Sequence, residues 1–509
     1  MTSVGPILRG LGLAIVWLVV SATAGLGFFL DSDRDVVVGS HDTVISPTLD
    51  GWVVVRTGPV LPDVRASSAP VLGIPLGVDI ALGKTNADTT AELVERYALI
   101  ASQPEGSIAR VEAAVADMAY DAALRGALVG LIPVAVWLLL GPSRRRELRA
   151  VVLSAKGAAA ATAVVLAVVL VWEPWTSNGV TVESVESEQT WLPLSLYLGD
   201  AVPVPEAAAG VQIRSDPTAF DSRRLVESAV STYQKSAEFY DTAAESAAAL
   251  EVREPEEGET VAVLVSDRHD NIGMDRVARA IGDRAGATVV LDAGDDTSTG
   301  QPWEAFSLDS VSEAFDGYDR FAVPGNHDSG DFVGDYLDNL GWTILDGSAM
   351  DGPGGGSLIG IADPRSSGLG NWRDETGLSF TEVGERFSEA VCGTDERVAT
   401  VLVHDVNLAR QAMAEGCADL VVGGHVHVKI GPKRVDGANG EVGYSYTTGT
   451  TGGAAYAIAI GSKPRRDAMV SLITYREDGR PAGIQAVTLQ TNGSFVVGQY
   501  VELDLGPVE

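Results

Sequence analysis

Cysteine, histidine and positive charge are all scarce in this chain. Of 509 residues two are Cys, six are His and 36 are Lys or Arg, against 69 Asp or Glu, for a formal charge of −33. So few cations exclude a general nucleic-acid binder, because phosphate backbones are gripped by clustered Lys and Arg. No nucleic-acid surface is expected. The sequence holds no GxxxxGKS or GxxxxGKT phosphate loop, no CxxC pair and no clear repeat, which removes P-loop, paired-thiol and solenoid architectures from consideration. The apolar fraction of 46% still permits a substantial core, and the length leaves room for two or three domains.

The few histidines that exist are not scattered. Phe321-Ala322-Val323 is a short apolar run stopped by Pro324-Gly325, and Asn326, His327 and Asp328 follow at once. Four more runs share this design: 261–266 leads to Asp267-Arg268-His269, and 288–293 to Gly294-Asp295-Asp296. Residues 398–403 lead to His404-Asp405, and 420–422 to Gly423-Gly424-His425-Val426-His427. One such turn would be an ordinary polar turn. Seven metal-competent side chains at the carboxyl ends of five strand-like runs instead suggest an α/β active site.

In this order the blocks Asp267-Arg268-His269, Gly294-Asp295, Gly325-Asn326-His327-Asp328, His404 and Gly424-His425-Val426-His427 resemble the calcineurin-like metallophosphoesterase superfamily. The resemblance covers Thr260 to about Thr448. It implies an α/β fold with two packed sheets flanked by helices, an αββα sandwich with the metals at one sheet edge. It further implies that Asp267, His269 and His427 hold one metal, that Asn326, His404 and His425 hold a second, and that Asp295 bridges them. His327 would face the substrate phosphate with Asp328 behind it. Phosphate-ester hydrolysis needs a nucleophile at neutral pH and neutralised phosphoryl oxygens. Two ions roughly 3.5–4 Å apart supply both, by lowering the pKa of bound water toward about 7 and clamping the attacking and leaving oxygens. Imidazole and carboxylate without thiolate suit Mn, Fe or Zn. His327 is the candidate to bind the phosphate or protonate the leaving oxygen.

Three apolar stretches suggest membrane spans. Gly10–Leu30 is long enough to cross a bilayer and is read as a retained anchor, although Ala22-Thr23-Ala24 also fits a cleaved signal peptide. Gly126–Ser143 contains Pro133, which membrane helices tolerate, and Gly157–Trp172 reaches spanning length if Ala150–Ser154 joins it and Lys156 snorkels. Arg144, Arg145, Arg146, Arg149 and Lys156 between the last two spans place that connection in the cytoplasm. Residues 31–123 and everything after Trp172 then lie outside. The expected organisation is span 1 (1–30), an outer β unit plus helix (31–123), a helical hairpin (124–172), an outer segment with a helix and an acidic linker (173–259), and the phosphoesterase domain (260–509). His41 stands alone and is left out of the site.

In an extracytoplasmic domain Cys392 and Cys417 are expected to form a disulfide. The segment from Gly352 to Asp374 is read as a long loop in which Arg365 and Arg373 are weaker candidates for a substrate phosphate. The function expected is a membrane-anchored, extracytoplasmic hydrolase of a phosphate monoester or diester, with a lipid- or envelope-linked substrate mildly favoured by the anchor. A catalytically inactive sensor of phosphorylated envelope components is the alternative.

Overall fold

A computed structural model describes residues 4–38, 41–57, 63–70, 73, 75–85, 104–152, 191–198, 210–215, 217–328, 330–366, 377–454 and 463–506. The chain divides into two compact units, residues 1–86 with 108–227 and residues 87–107 with 228–509.

In the first unit, α1 (Val4–Leu30) and α2 (Glu105–Leu139) are both long and apolar enough to span a membrane. They meet through small residues. A Cβ added at Gly126 or Gly130 would strike Ser21, Gly25 or the Trp17 backbone, and Trp17 Nε1 donates to Ala127 O at 3.1 Å. Close backbone approach of this kind lets helices associate where lipid removes the hydrophobic drive. The span expected from Gly126 is the second half of a longer helix that stops at Leu139, before Gly141-Pro142. The arginines at 144–146 and 149 lie on α3 (Pro142–Val152). The third expected span, Gly157–Trp172, lies outside the described residues. Strands β1 (Arg34–Val38), β2 (His41–Thr48), β3 (Trp52–Arg56), β4 (Val64–Ser67), β5 (Gly77–Thr85), β6 (Trp191–Pro193) and β7 (Gln212–Arg214) form one sheet in the order β1-β2-β5-β3-β4-β7-β6. Ile45 of β2 is buried against Ala114 and Met118 of α2 and Phe29 of α1. His41 is a buried strand residue whose Nδ1 lies 3.0 Å from Gly83 O.

The second unit contains two more sheets. The first holds β8 (Thr260–Val265), β9 (Val289–Asp292), β10 (Asp319–Ala322) and β11 (Thr343–Ile344). The second holds β12 (Met350–Asp351), β13 (Ser357–Ile361), β14 (Val398–Val403), β15 (Ala418–Gly423), β16 (Ile430–Asp436) and β17 (Val442–Thr447). The chain then returns to the first sheet with β18 (Ala468–Tyr475), β19 (Pro481–Leu489), β20 (Phe495–Val497) and β21 (Val501–Glu502). The orders are β11-β10-β9-β8-β18-β19-β20, with β21 on β19, and β12-β13-β14-β15-β17-β16. Strands β8 to β11 pair in parallel, as do β13, β14, β15 and β17. Parallel strands covered on both faces read as unbroken apolar runs, which is why Val-Ala-Val-Leu-Val and Val-Ala-Thr-Val-Leu-Val show no alternation.

Between the sheets lie Ala262, Leu264, Leu291, Leu358, Leu402, Leu420, Val422, Tyr446 and Ile473. The outer face of the first sheet presents Val261, Val263, Val265 and Val290 to α5 (Gly273–Arg284), α6 (Ala305–Ala314) and α7 (Phe332–Asn339), and to Tyr240, Ala243 and Ala247 of α4 (Pro217–Ala247). Part of the helix before the acidic linker therefore belongs to this core. The outer face of the second sheet is covered by α8 (Phe380–Cys392) and α9 (Arg410–Glu415), with Phe387, Val391, Ala412 and Met413 buried. The layers run helix, sheet, sheet, helix. Each fully buried Leu or Val contributes about 1.5–3 kcal/mol.

Cys392 and Cys417 are disulfide-bonded, joining the end of α8 to the start of β15. Closing that loop contributes roughly 3 kcal/mol. The loop expected from Gly352 to Asp374 is interrupted by β13, because Leu358-Ile359-Gly360-Ile361 pairs with β14 through Leu358↔Thr400 to Ile361↔Val403. Trp372 and Arg373 lie outside the described residues.

Candidate metal centre

Register places the expected ligands at one edge. Val265, Asp292 and Ala322 are opposite one another across the first sheet, and Leu402, Val422 and Tyr446 across the second. The chain leaves β8, β9, β10, β14 and β15 from equivalent heights, and its next residues converge. Asp267, His269, Asp295, Asn326 and His404 are buried, while His425 and His427 are partly open. All seven predicted ligands come together.

Sharp turns aim them. Every described non-glycine residue with positive φ sits here: Asp267, His269, Asp270, Asp295, His425 and His427. Left-handed backbone costs an ordinary residue on the order of 1–3 kcal/mol and persists where surrounding structure over-determines it. Two glycines make room. A Cβ on Gly294, itself at φ +86°, would collide with Gly325 N and Val323 O, and one on Gly424 with the Ser266 hydroxyl and the Asp267 carboxylate.

The polar atoms meet in two groups. His269 Nε2 and His427 Nε2 are 3.1 Å apart, with Asp267 Oδ1 3.2 Å from His427 Nε2. Asn326 Oδ1 is 2.9 Å from His404 Nε2 and 2.8 Å from His425 Nδ1. Asp295 Oδ2 reaches both groups, at 3.2 Å from His404 Nε2 and 3.9 Å from His269 Nε2. The far nitrogens are committed elsewhere: His427 Nδ1 lies 3.1 Å from Ala454 O and His404 Nδ1 2.7 Å from Ala293 O. Since only N–H can satisfy a carbonyl, the Nε2 atoms carry the lone pairs of the neutral rings. Lone pairs facing lone pairs need a cation between them, a metal ion or, in the metal-free protein, the proton that His404 holds.

Asp267 Oδ1 is buried without a hydrogen-bond donor, while Oδ2 accepts from Ser266 Oγ and His425 N, both at 2.9 Å. One oxygen is held and the other left for a ligand. Nitrogen and oxygen donors without thiolate fit Mn, Fe or Zn. The residues present therefore fit metal ions.

Electrostatics follow the geometry. Burial pushes His269 down to about 4, against the pull of Asp295 and Asp267. Burial also opposes charge on His404, but Asp295 overcomes it and lifts the ring to about 10. Asp295 itself is raised by burial, but His404, His269 and His327 together outweigh that and hold it well below the carboxylate range.

Asp328, expected behind His327, accepts from several loop donors. Its Oδ2 accepts from Asp295 N at 2.7 Å, Gly325 N at 2.9 Å and Asp296 N at 3.3 Å, and its Oδ1 from Thr297 N at 3.0 Å and Thr297 Oγ1 at 2.8 Å. It clamps the loops after β9 and β10 to each other. His327 Nδ1 lies 3.0 Å from Ser298 O, and the His327 amide donates to Asp295 Oδ1 at 2.7 Å. The physical reason is competition: a buried carboxylate is best satisfied by several N–H groups, and these turns supply them.

Several contributors carried no signal in the sequence. Buried Arg268, the middle residue of Asp-Arg-His, binds Asp275 at 2.9 and 3.1 Å, Asp296 at 2.9 Å and Ser307 O at 2.9 Å. Glu304 accepts from Ser298 N, Thr299 N, Thr299 Oγ1 and Gln301 N at 2.7–2.9 Å, and so fixes the turn whose carbonyl receives His327. Arg365 is tied at 2.6 Å to Asp363 and 2.9 Å to Asp405, whose Oδ2 is 4.0 Å from His425 Nε2. It supports the ring of a ligand rather than standing free.

No family model matches the chain, and no curated protein does. Among solved structures the chain is similar to an archaeal phosphodiesterase at 14% identity, TM-score 0.29, over 45% of this chain and 100% of that one. It is also similar to a phosphatase of Mycoplasma pneumoniae at 9% identity, TM-score 0.30, over 47% and 94% of the two chains. A Thermus thermophilus protein aligns at 10% identity, TM-score 0.31, over 47% and 98%. The resemblance to calcineurin-like metallophosphoesterases rests on the ordered blocks and the converging ligands, to which overlaps of this quality add no weight.

Proposed function

We propose that this chain is a membrane-anchored, metal-dependent phosphoesterase acting outside the cytoplasm on a phosphate monoester or diester. The observation that carries this reading is the convergence of ring-nitrogen and carboxylate lone pairs on two adjacent points sharing Asp295. Asp267, His269 and His427 would hold one ion, Asn326, His404 and His425 another, with Asp295 between. When bound, the ions supply charge for the phosphoryl oxygens and lower the pKa of water. His327 uses Nδ1–H on Ser298 O, so Nε2 is the atom left to bind the phosphate or pass a proton to the leaving oxygen. Left-handed turns and the Asp328 clamp hold these groups in place before substrate arrives, as catalysis by positioning requires.

The test is hydrolysis of p-nitrophenyl phosphate and bis-p-nitrophenyl phosphate by the full chain, after chelation and after restoring Mn, Fe or Zn separately. Activity should vanish and return. Activity indifferent to chelation would overturn the metal mechanism, and none on either ester after every metal would leave a sensor of phosphorylated envelope components.

Placement outside the cytoplasm is supported by the arginines at 144–146 and 149 and by the use of both cysteines in one bond. It includes a third span at 157–172. A membrane-impermeant maleimide should label Ser494→Cys on intact cells. Labelling only after permeabilisation would reverse the orientation.

A further inference from the structure

The rim of the metal centre on the His427 side differs from the rest of this acidic protein. Val426, Val428 and Ile430 alternate with or follow the last ligands and are 46%, 58% and 54% exposed. Among and after them stand Lys429, Lys433 and Arg434, all exposed. They continue onto β16, the terminal strand of its sheet, bonded on one side only. A second basic stretch reaches the same place from another part of the chain. His427 Nδ1 contacts Ala454 O, and the neighbouring Gly453 O accepts from Arg465 N at 3.0 Å and Arg466 N at 2.9 Å, with Lys463 beside them. The segments 425–436 and 463–467 carry six basic residues and two acidic ones, in a chain with almost two acids per base.

Exposed aliphatic side chains interleaved with cations suit an interface where headgroups are anionic and the layer beneath is apolar. The geometry points to a docking lip at 426–434 and 463–466 that seats the catalytic mouth on an anionic lipid surface, presenting headgroup phosphates to the metals. The occupant is a bilayer because the chain also carries two helices of spanning length and composition. A protein partner would be expected to satisfy the open edge of β16 with backbone rather than charge. Arg434 is paired to Asp436 at 3.0 Å, so Lys429 and Lys433 are the lysines the test removes. The substrate class that follows is a lipid-borne phosphate ester, which rests on the phosphoesterase reading. The docking itself does not.

The two cysteines are bonded to each other, so Ile430→Cys adds a single thiol for an environment-sensitive fluorophore. The full chain is reconstituted in nanodiscs of phosphatidylcholine, with or without phosphatidylglycerol, and in detergent. Expected are a blue shift and quenching by spin-labelled lipid in the anionic discs only, both reduced by salt and by Lys429→Gln/Lys433→Gln. Equal emission in neutral and anionic discs would overturn the proposal. So would a shift that grows with protein concentration and survives detergent, which would mean edge pairing between two copies. This readout needs no turnover, so it separates failure of docking from failure of the enzymatic reading. In active preparations the double Gln variant should lose about five-fold per lysine on a lipid-borne ester and nothing on p-nitrophenyl phosphate. Equal loss on both would place the lysines in the site rather than on the lip.

Discussion

Two layers of the same loops, a few ångströms apart, obey opposite rules. Facing the cleft, Asp267, His269 and Asp295 crowd ring nitrogens and carboxylate oxygens together, and Asp267 Oδ1 has no donor. Immediately behind, Arg268 and Asp296, their sequence neighbours, are locked with Asp275 and Ser307 in a buried network. Left-handed turns at 267, 269 and 295 send consecutive side chains to opposite layers. The difference teaches where stability and chemistry reside: the back layer is organised around a cation of the protein itself, Arg268, and the front layer gathers donor atoms of the kind that hold metal ions.

That contrast can be broken on purpose. Removing a charge from the back should cost folding. Arg268→Met leaves Asp275 and Asp296 without their cation, and urea unfolding of the metal-free protein should show a loss of about 3–5 kcal/mol. A loss below 1 kcal/mol would mean the network is not a structural unit. Metal removal tests the front layer. With the restored ion at a hundred times its Kd, stability should rise by about 2.7 kcal/mol, and this increment should disappear in Asp295→Asn. The same variant should lose more than the roughly 10–100-fold typical of outer partners of a metal site, measured as kcat/KM on bis-p-nitrophenyl phosphate.

Glu304 lies between the layers, and its effect should be smaller. Glu304→Gln keeps size but loses charge where four donors converge, so the Ser298 carbonyl and His327 are held less well. About ten-fold in kcat is expected, larger for alkyl than for nitrophenyl leaving groups because only the former need a proton. Equal loss on both would reduce Glu304 to a purely structural role. The smallest effect is that of pH. His404, lifted to about 10 by Asp295 despite burial, stabilises the metal-free fold below its ordinary value near 6.5 and loses that contribution as pH rises through about 10. The metal needs the neutral ring, so its binding should strengthen over the same range with proton release. Calorimetry in buffers of different ionisation enthalpy would read that release, and none between pH 7 and 9 would contradict the assignment.

The front layer was legible in the sequence because its chemistry needs particular residue types just after apolar runs, and all seven ligands converge as expected. The back layer was not. Arg268 reads as a surface residue until β8, α5 and α6 enclose it, and Glu304 acquires its role only from the turn 298–304. Asp328 was expected behind His327, and the amides of Gly325, Asp295 and Thr297 that also bind it come from turns whose approach no spacing announces. Strand β13 was hidden among glycines and β16 among exposed polar residues, where pairing partners rather than composition decide. The helix, sheet, sheet, helix layering was expected from the resemblance. The seven-stranded sheet of the first unit was visible as a small β unit between the first two spans, to which residues 176–220 could add strands, and β6 and β7 do join it from more than a hundred residues downstream.

The positive φ angles at six acidic or histidine positions also dictate how the site can be dissected. A saturation library there would confound chemistry with conformation, because a branched side chain at these angles is disfavoured whatever it binds. Asparagine is among the few residues that tolerate such angles while withholding imidazole or carboxylate. Replacing His269, His425 or His427 by Asn therefore removes the imidazole and keeps the turn, whereas Val at the same place would remove both.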